Sequence, residues 1–227
     1  MSRHFVAELG ELKSTIIRMG SMAEQAIAES IRALLERDPE LARRVIDEDE
    51  SINRYEVIVD DQVVDLLALQ QPVAVDLRFI LAAQKINNDL ERIGDHAVNI
   101  AESALQYSGR PPLTRPGEIP EMAGISKTML REAIDAFIHS NTALAREVLR
   151  TDDEIDNLNR RTVEGMAELI RTDTQIIYQA LDLIRVSRNL ERVADLATNI
   201  AEEVIFMAEA HNVKHNVERR EPQQGPT

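Results

Sequence analysis

Apolar residues recur every three to four positions along almost the whole chain, the spacing that lines one face of a helix. Breakers interrupt this pattern at only a few places. Asp38-Pro39-Glu40 reads as a helix start, with Asp38 as N-cap, Pro39 at the first helical position and Glu40 favouring the positive end of the helix dipole. Asn141 is a second cap, and Pro72 and Asp173 open later helices. Ser108-Gly-Arg-Pro-Pro-Leu-Thr-Arg-Pro-Gly117 cannot continue a helix and reads as a linker. The pattern predicts six long helices in two sets of three.

The two sets are copies of one another. Leu41-Ala-Arg-Arg-Val-Ile46 matches Leu144-Ala-Arg-Glu-Val-Leu149 at an offset of 103, and Met19-Gly20 matches Met122-Ala123 in the same register. Further along, Leu90-Glu-Arg-Ile-Gly-Asp-His-Ala-Val-Asn-Ile-Ala-Glu102 matches Leu190-Glu-Arg-Val-Ala-Asp-Leu-Ala-Thr-Asn-Ile-Ala-Glu202 at an offset of 100. The three lost residues fall between Gln70-Gln71-Pro72 and Arg171-Thr172-Asp173, where a turn absorbs them readily. A repeat this long is a duplicated domain, not a solenoid unit. The expected fold is all-α, two tandem three-helix bundles related by internal duplication. The first spans 1–107 and the second 119–212, with a linker over 108–118 and a disordered polar tail over 213–227.

Composition narrows the chemistry. The chain has no Cys and no Trp, 3% aromatic residues, 8 Gly and 8 Pro. That mixture suits helix rather than sheet, and it closes off disulfides, thiolate metal sites and Cys nucleophiles. Neither the N-terminus nor any later stretch carries the apolar run of a signal peptide or a membrane span, so a soluble intracellular protein is expected. The net charge of −14 argues against nucleic acid and leaves cations and proteins as partners.

The acidic residues are patterned. Glu91, Asp95, Asn99 and Glu102 fall within about 80° of one another on a helix wheel, away from Leu90, Ile93, Ala97, Ile100 and Ala101, the face that packs inward. Glu191, Asp195, Asn199 and Glu202 repeat the stripe. The second helix of each copy carries Asp49-Glu50 with Asn53, and Asp152-Asp153 with Asp156. Measured from the hairpin near residue 71, Asp49 and Asn53 lie roughly 33 and 27 Å along helix two, and Glu91 and Asp95 roughly 28 and 35 Å along helix three. The second copy gives about 30 and 24 Å for Asp152 and Asp156 against roughly 27 and 33 Å for Glu191 and Asp195. Carboxylates at one level repel and rise in pKa unless a cation neutralises them. Oxygen-only ligands suit iron, Mn²⁺ or Mg²⁺. The alternative is a solvated acidic face paired with bases such as Arg92 and Arg192. His96, opposite Leu196 in the other copy, is read as a boundary residue, and Asp76 with Arg78 as a first-turn acid beside an exposed base.

Gln71-Pro-Val-Ala-Val-Asp-Leu-Arg-Phe-Ile-Leu81, followed by Leu90-Glu-Arg-Ile-Gly-Asp-His-Ala-Val-Asn-Ile100 and echoed at Asn189-Leu-Glu-Arg-Val-Ala-Asp195, resembles the signature of the PhoU family. The resemblance extends from Phe5, Leu9 and Met19-Gly20 over nearly the whole chain up to the tail. It implies a pair of three-helix bundles with E(D)-x-x-x-D motifs that bind metal. By position the first site would use Asp49, Glu91 and Asp95, and the second Asp152, Asp156, Glu191 and Asp195. Asn53 departs from the acid that would complete the first pair. The resemblance also implies a negative regulator of the phosphate-starvation response. Its partners would be the ATPase subunit of the phosphate ABC importer and a phosphate-sensing membrane histidine kinase. It would be cytoplasmic, peripheral to the inner face of the membrane through those partners. A homodimer is expected, although no seam in the sequence specifies one. No enzyme is expected: there is no Gly-rich phosphate loop, and no His follows a Glu by three residues, as a carboxylate di-iron centre would need. A purely structural helical adaptor is the remaining alternative.

Overall fold

The computed structural model describes residues 3–113, 117–211 and 213. Six helices make up the fold: α1 (Arg3–Glu36), α2 (Pro39–Gln70), α3 (Ala74–Ser108), α4 (Ile119–His139), α5 (Thr142–Thr172) and α6 (Ile177–Glu209). Among the described residues there is no strand, and no helix is long and apolar enough to cross a membrane. Residues 114–116 of the expected linker, and all of the expected tail except Val213, lie outside the described residues. Val213 itself is buried against the core.

The first hairpin closes in the same way in both copies. Arg37 and Ser140, 103 residues apart, adopt left-handed backbone with φ of 57° and 49°. The N–H of Asp38 then donates to Ala33 O, and that of Asn141 to Ala136 O, both at 2.9 Å. This six-to-one bond closes a helix end. The next helix starts at once. The Asp38 carboxylate accepts from the N–H groups of Glu40 and Leu41 at 3.0 Å, and Asn141 Oδ1 accepts from Leu144 N–H at 3.1 Å. A left-handed non-glycine residue costs about 1–2 kcal/mol. Two unlike side chains in the same strained conformation show that the closing bond and the cap set this turn.

The second hairpins differ, and there the three residues are lost. In the first copy α3 begins at Ala74, two residues past Pro72. In the second, Asp173 accepts from Gln175 N–H at 2.9 Å and caps a 3₁₀ turn, Thr174–Ile176, before α6 starts. Asp173 therefore opens the third helix of its copy only through an intervening turn.

Each copy packs its three helices together, and α3 and α1 then pack across to α6 and α4. The result is a central layer of α1, α3, α4 and α6, with α2 and α5 on its outer sides. Contacts between α3 and α6 fix their direction. Arg78 Nε reaches Met207 O at 3.4 Å, Lys85 Nζ reaches both Glu203 oxygens at 3.1 Å, and His96 Nδ1 meets Asn189 Oδ1 at 2.8 Å. Numbering rises in one helix as it falls in the other, so the pair is antiparallel. Arg78 is half-buried, not exposed as its sequence setting suggested, because α6 ends beside it.

One apolar core runs through both copies. Leu90, Ile93, Ala97, Ile100 and Ala101 are all buried, as are Leu190, Val193, Ala197, Ile200 and Ala201. Each fully buried Leu, Ile or Val contributes roughly 1.5–3 kcal/mol. The core is continuous across the junction between the two bundles.

Candidate metal centre

Hydrogen bonds between α2 and α3 set the register of the first acidic cluster. Gln84 Nε2 donates to Asp60 Oδ1 at 2.7 Å, and Asn87 Nδ2 to Glu56 O at 3.1 Å. Counting back along α2 and forward along α3 from these pairs brings Asp49 beside Gly94 and Asn53 to the level of Glu91. The approach at Gly94 is close: a methyl group there would stand 3.0 Å from Asp49 Oδ1. Absence of a side chain at that position lets the α2 carboxylate press against α3.

In the second copy Ser187 Oγ donates to Asn159 Oδ1 at 2.6 Å. These are the duplicated positions of Asn87 and Glu56, so the register is the same. It brings Asp152 to Asp195 and Asp156 to Glu191 across α5 and α6. A groove of about 340 Å³, lined in part by Asp156, Arg160, Arg188 and Glu191, opens on this cluster. Glu102 is exposed further along α3. His96 is engaged with Asn189 across the α3–α6 seam, in keeping with a boundary role.

Burial sets the electrostatics first, and crowding of like charge adds to it. Burial first, then Asp95, pushes the Asp49 carboxyl up, while the hydrogen bond from Asn53 Nδ2 at 3.0 Å opposes the rise. Glu91 is raised by burial, then by Asp95, Glu56 and Asp49, against Arg92. Asp156 is raised by burial, Asp195 and Asp153, against Arg160. Asp152 is raised furthest, to about 6, by burial and then by Asp156, Asp195, Asp153 and Glu191. The bases expected to pair with these acids divide. Arg192 bonds Asp195 Oδ2 at 3.0 Å, whereas Arg92 turns to Asp89 at 3.8 Å. Among the described residues, Asp49, Glu91 and Asp95 form no ion pair.

Two features bear on whether these residues suit a cation. Asp49 Oδ1 and Asp152 Oδ1, at duplicated positions, are each buried without a hydrogen-bond donor. An orphaned carboxylate oxygen is costly unless something positive meets it, and the all-oxygen donor set fits a hard ion. Against this, among the described residues no three His, Asp or Glu side chains converge closely enough to hold an ion as they stand. The backbone carries the carboxylates to one level, and side-chain rotation would have to close them on an ion.

The sequence reading missed Glu56, which faces Asp95 and Glu91 and is itself raised by burial, then Asp60 and Asp95. Its signal was present in the sequence, seven residues after Asp49 and so on the same helix face.

The raised Asp152 makes a signed prediction. Its carboxyl is higher in the folded than in the unfolded chain, so its ionisation destabilises the fold as pH rises through about 6. Below the ordinary carboxylate range, near 4, both states are protonated and the penalty vanishes. In chelator at pH 7.5, Asp152→Asn is expected to stabilise the chain by about 1 kcal/mol, after discounting for the partial exposure of the side chain. The gain should fade below about pH 4. Urea titrations of both proteins across this range check it.

Comparisons with known proteins bear on the fold and the family. The PhoU domain matches residues 16–104 and again residues 119–204. A Clostridium acetobutylicum protein named phosphate-specific transport system accessory protein PhoU homolog is 35% identical over 213 residues, covering 93% of this chain and 97% of its own length. A homolog of the same name from Aquifex aeolicus is 38% identical, covering 92% of this chain and 94% of its own. The crystal structure of PhoU from Pseudomonas aeruginosa superposes with a TM-score of 0.89 at 34% identity, covering 91% of this chain and 100% of that one. The phosphate transport system regulatory protein PhoU from Streptococcus pneumoniae superposes with a TM-score of 0.85 at 27% identity, covering 92% and 99%. With the domain matched in both halves and the fold shared over nearly its full length, the chain belongs to the PhoU family.

Proposed function

We propose that this chain is the accessory regulator of a phosphate importer, a metal-binding adaptor that holds the phosphate-starvation response off while phosphate is plentiful. It would do so by passing the state of the importer's ATPase subunit to a phosphate-sensing membrane histidine kinase. The observation that carries this reading is the PhoU match in both halves, joined to relatives named as accessory to phosphate-specific transport. On this reading the chain is cytoplasmic, meets the inner face of the membrane through its partners, and catalyses nothing. It acts as a homodimer, for which Val57, Val64 and Leu69 offer exposed apolar side chains on α2.

In the same reading Asp49, Glu91 and Asp95 hold one ion site, and Asp152, Asp156, Glu191 and Asp195 the other. The ion is iron, Mn²⁺ or Mg²⁺. A bound cation would neutralise each cluster and tie α2 to α3 and α5 to α6. A second reading, an adaptor whose clusters stay free of metal, is favoured by the lack of three converged ligands among the described residues. Thermal unfolding with and without added ion separates the two.

Deleting the gene is expected to leave phosphate-responsive genes switched on in phosphate-rich medium. The chain, used as bait in a lysate, is expected to recover an ABC ATPase or a histidine kinase. Normal repression in the deletion strain would contradict the regulatory role.

A further inference from the structure

The two acidic clusters are spelled differently. Where the second copy has Asp156 the first has Asn53, an exposed amide whose Nδ2 donates to Asp49 Oδ2 at 3.0 Å. An amide carries no charge to offset a cation. Three residues along α2 the difference is reversed. The first copy has Glu56 where the second has Asn159, again 103 residues apart. Glu56 follows Asp49 by seven residues, within about 20° of it on the helix wheel and about 10 Å along the axis. It is half-buried, unlike Asn53.

A second observation comes from α3. Asn87, one turn before Glu91, is fully buried. Its Nδ2 donates to Glu56 O at 3.1 Å and to Asp60 Oδ1 at 3.0 Å, which fixes the orientation of the amide. Its Oδ1 is left with no donor. Asp60 Oδ1 accepts from both Gln84 and Asn87 and is already satisfied. Two buried oxygens without donors, Asp49 Oδ1 and Asn87 Oδ1, therefore mark the α2–α3 seam on either side of Glu91. Buried oxygens without partners call for a donor or a cation. Among the described residues no such pair marks the second copy, where Ser187 replaces Asn87 and bonds Asn159.

We propose that Glu56 is a ligand of the first cluster, supplying with Asp49, Glu91 and Asp95 the fourth carboxylate that Asn53 lacks. Both copies then offer four carboxylates to a hard divalent cation, the fourth of the first set standing three residues further along α2 than the position that matches Asp156. This inference rests on the metal-binding reading above.

The test uses the full chain with the second cluster silenced by Asp152→Asn/Asp195→Asn. Mn²⁺ affinity is read from the electron paramagnetic resonance of the free ion, and circular dichroism verifies folding. Glu56→Gln in that background is expected to weaken Mn²⁺ binding about tenfold or more, and adding Asn53→Asp to restore it. Unchanged affinity in Glu56→Gln overturns the assignment and leaves the metal reading standing. A loss that Asn53→Asp does not restore makes Glu56 a packing residue and overturns it too. Mn²⁺ bound by the unsubstituted chain but not by the silenced one shows that the first cluster is no site, with the same consequence. No Mn²⁺ on the unsubstituted chain removes the metal reading and this inference together.

Discussion

Mn²⁺ added to chelator-stripped protein at pH 7.5 is expected to raise its unfolding midpoint by about 5–10 °C for each filled site. A ligand that binds only the folded state stabilises it by about 2.7 kcal/mol at one hundred times its dissociation constant. For a chain of this size each kcal/mol moves the midpoint by about 2–4 °C. The physical source is the crowding of Asp152, Asp156, Glu191 and Asp195, in which Asp152 is raised to about 6 by burial and by its acidic neighbours. A cation reverses the sign of those interactions. Protons compete with it, so the gain should shrink as pH falls through about 6, where Asp152 takes up its proton. The quadruple variant Asp152→Asn/Asp156→Asn/Glu191→Gln/Asp195→Asn should lose the gain of the second site. A midpoint indifferent to millimolar Mn²⁺, Fe²⁺ and Mg²⁺ would leave both clusters as solvated acid and favour the metal-free adaptor.

The second large effect concerns the junction between the copies. Arg110→Met is expected to destabilise the chain by about 3–5 kcal/mol, a midpoint loss of about 10 °C. Arg110 leaves the end of α3 and pairs with Asp182 on α6, whose side chain is only 4% exposed. Its guanidinium also lies 5.4 Å from the centre of the Tyr178 ring. Its carbonyl accepts from Arg37, which bonds Ser108 O as well and stacks over Tyr107. Burial pushes the Asp182 carboxyl up more strongly than Arg110 and Arg185 pull it down. Without Arg110 it rises further, so the defect should be greatest at neutral pH and shrink on acidification. Arg110→Met/Asp182→Leu should recover much of the loss, because replacing both members of a buried pair with apolar groups removes the stranded charge. Calorimetry of the single and double variants at pH 5 and 7.5 checks both statements. An Arg110→Met chain as stable as the parent would show that the core alone holds the copies together.

What was legible from the sequence was local or repeated. The caps at Asp38 and Asn141 act through bonds to residues two or three positions on, so their chemistry appears in consecutive letters. The inward faces of α3 and α6 follow from 3.6-residue periodicity, and every one of those positions is buried. Duplication is a property of the letters themselves, and the helix rise counted from the hairpin puts Asp49 at the level of Asp95.

What the sequence did not show depends on partners far apart in the chain. The Lys85–Glu203 pair joins residues 118 positions apart, and the duplicate register would have put Arg185 and Ser103 in its place, so no repeat could reveal it. The half-buried Arg78, the fusion of two bundles into one core and the return of Arg110 to Asp182 all arise where α3 lies antiparallel to α6. Periodicity identifies the face a helix buries but not the helix that covers it, because any apolar stripe of suitable shape lowers the exposed area. Glu56 lies between these cases. Its position seven residues after Asp49 was readable, but only the bond from Asn87 to its carbonyl and the charge of Asp95 nearby distinguished it from the other acids of α2. The sequence alone determined the six helices, the caps at Asp38 and Asn141 and the duplicated acidic levels, through contacts a few residues long. Tertiary structure decided which helices meet and which carboxylates face one another, because those depend on distances that one chain segment cannot set.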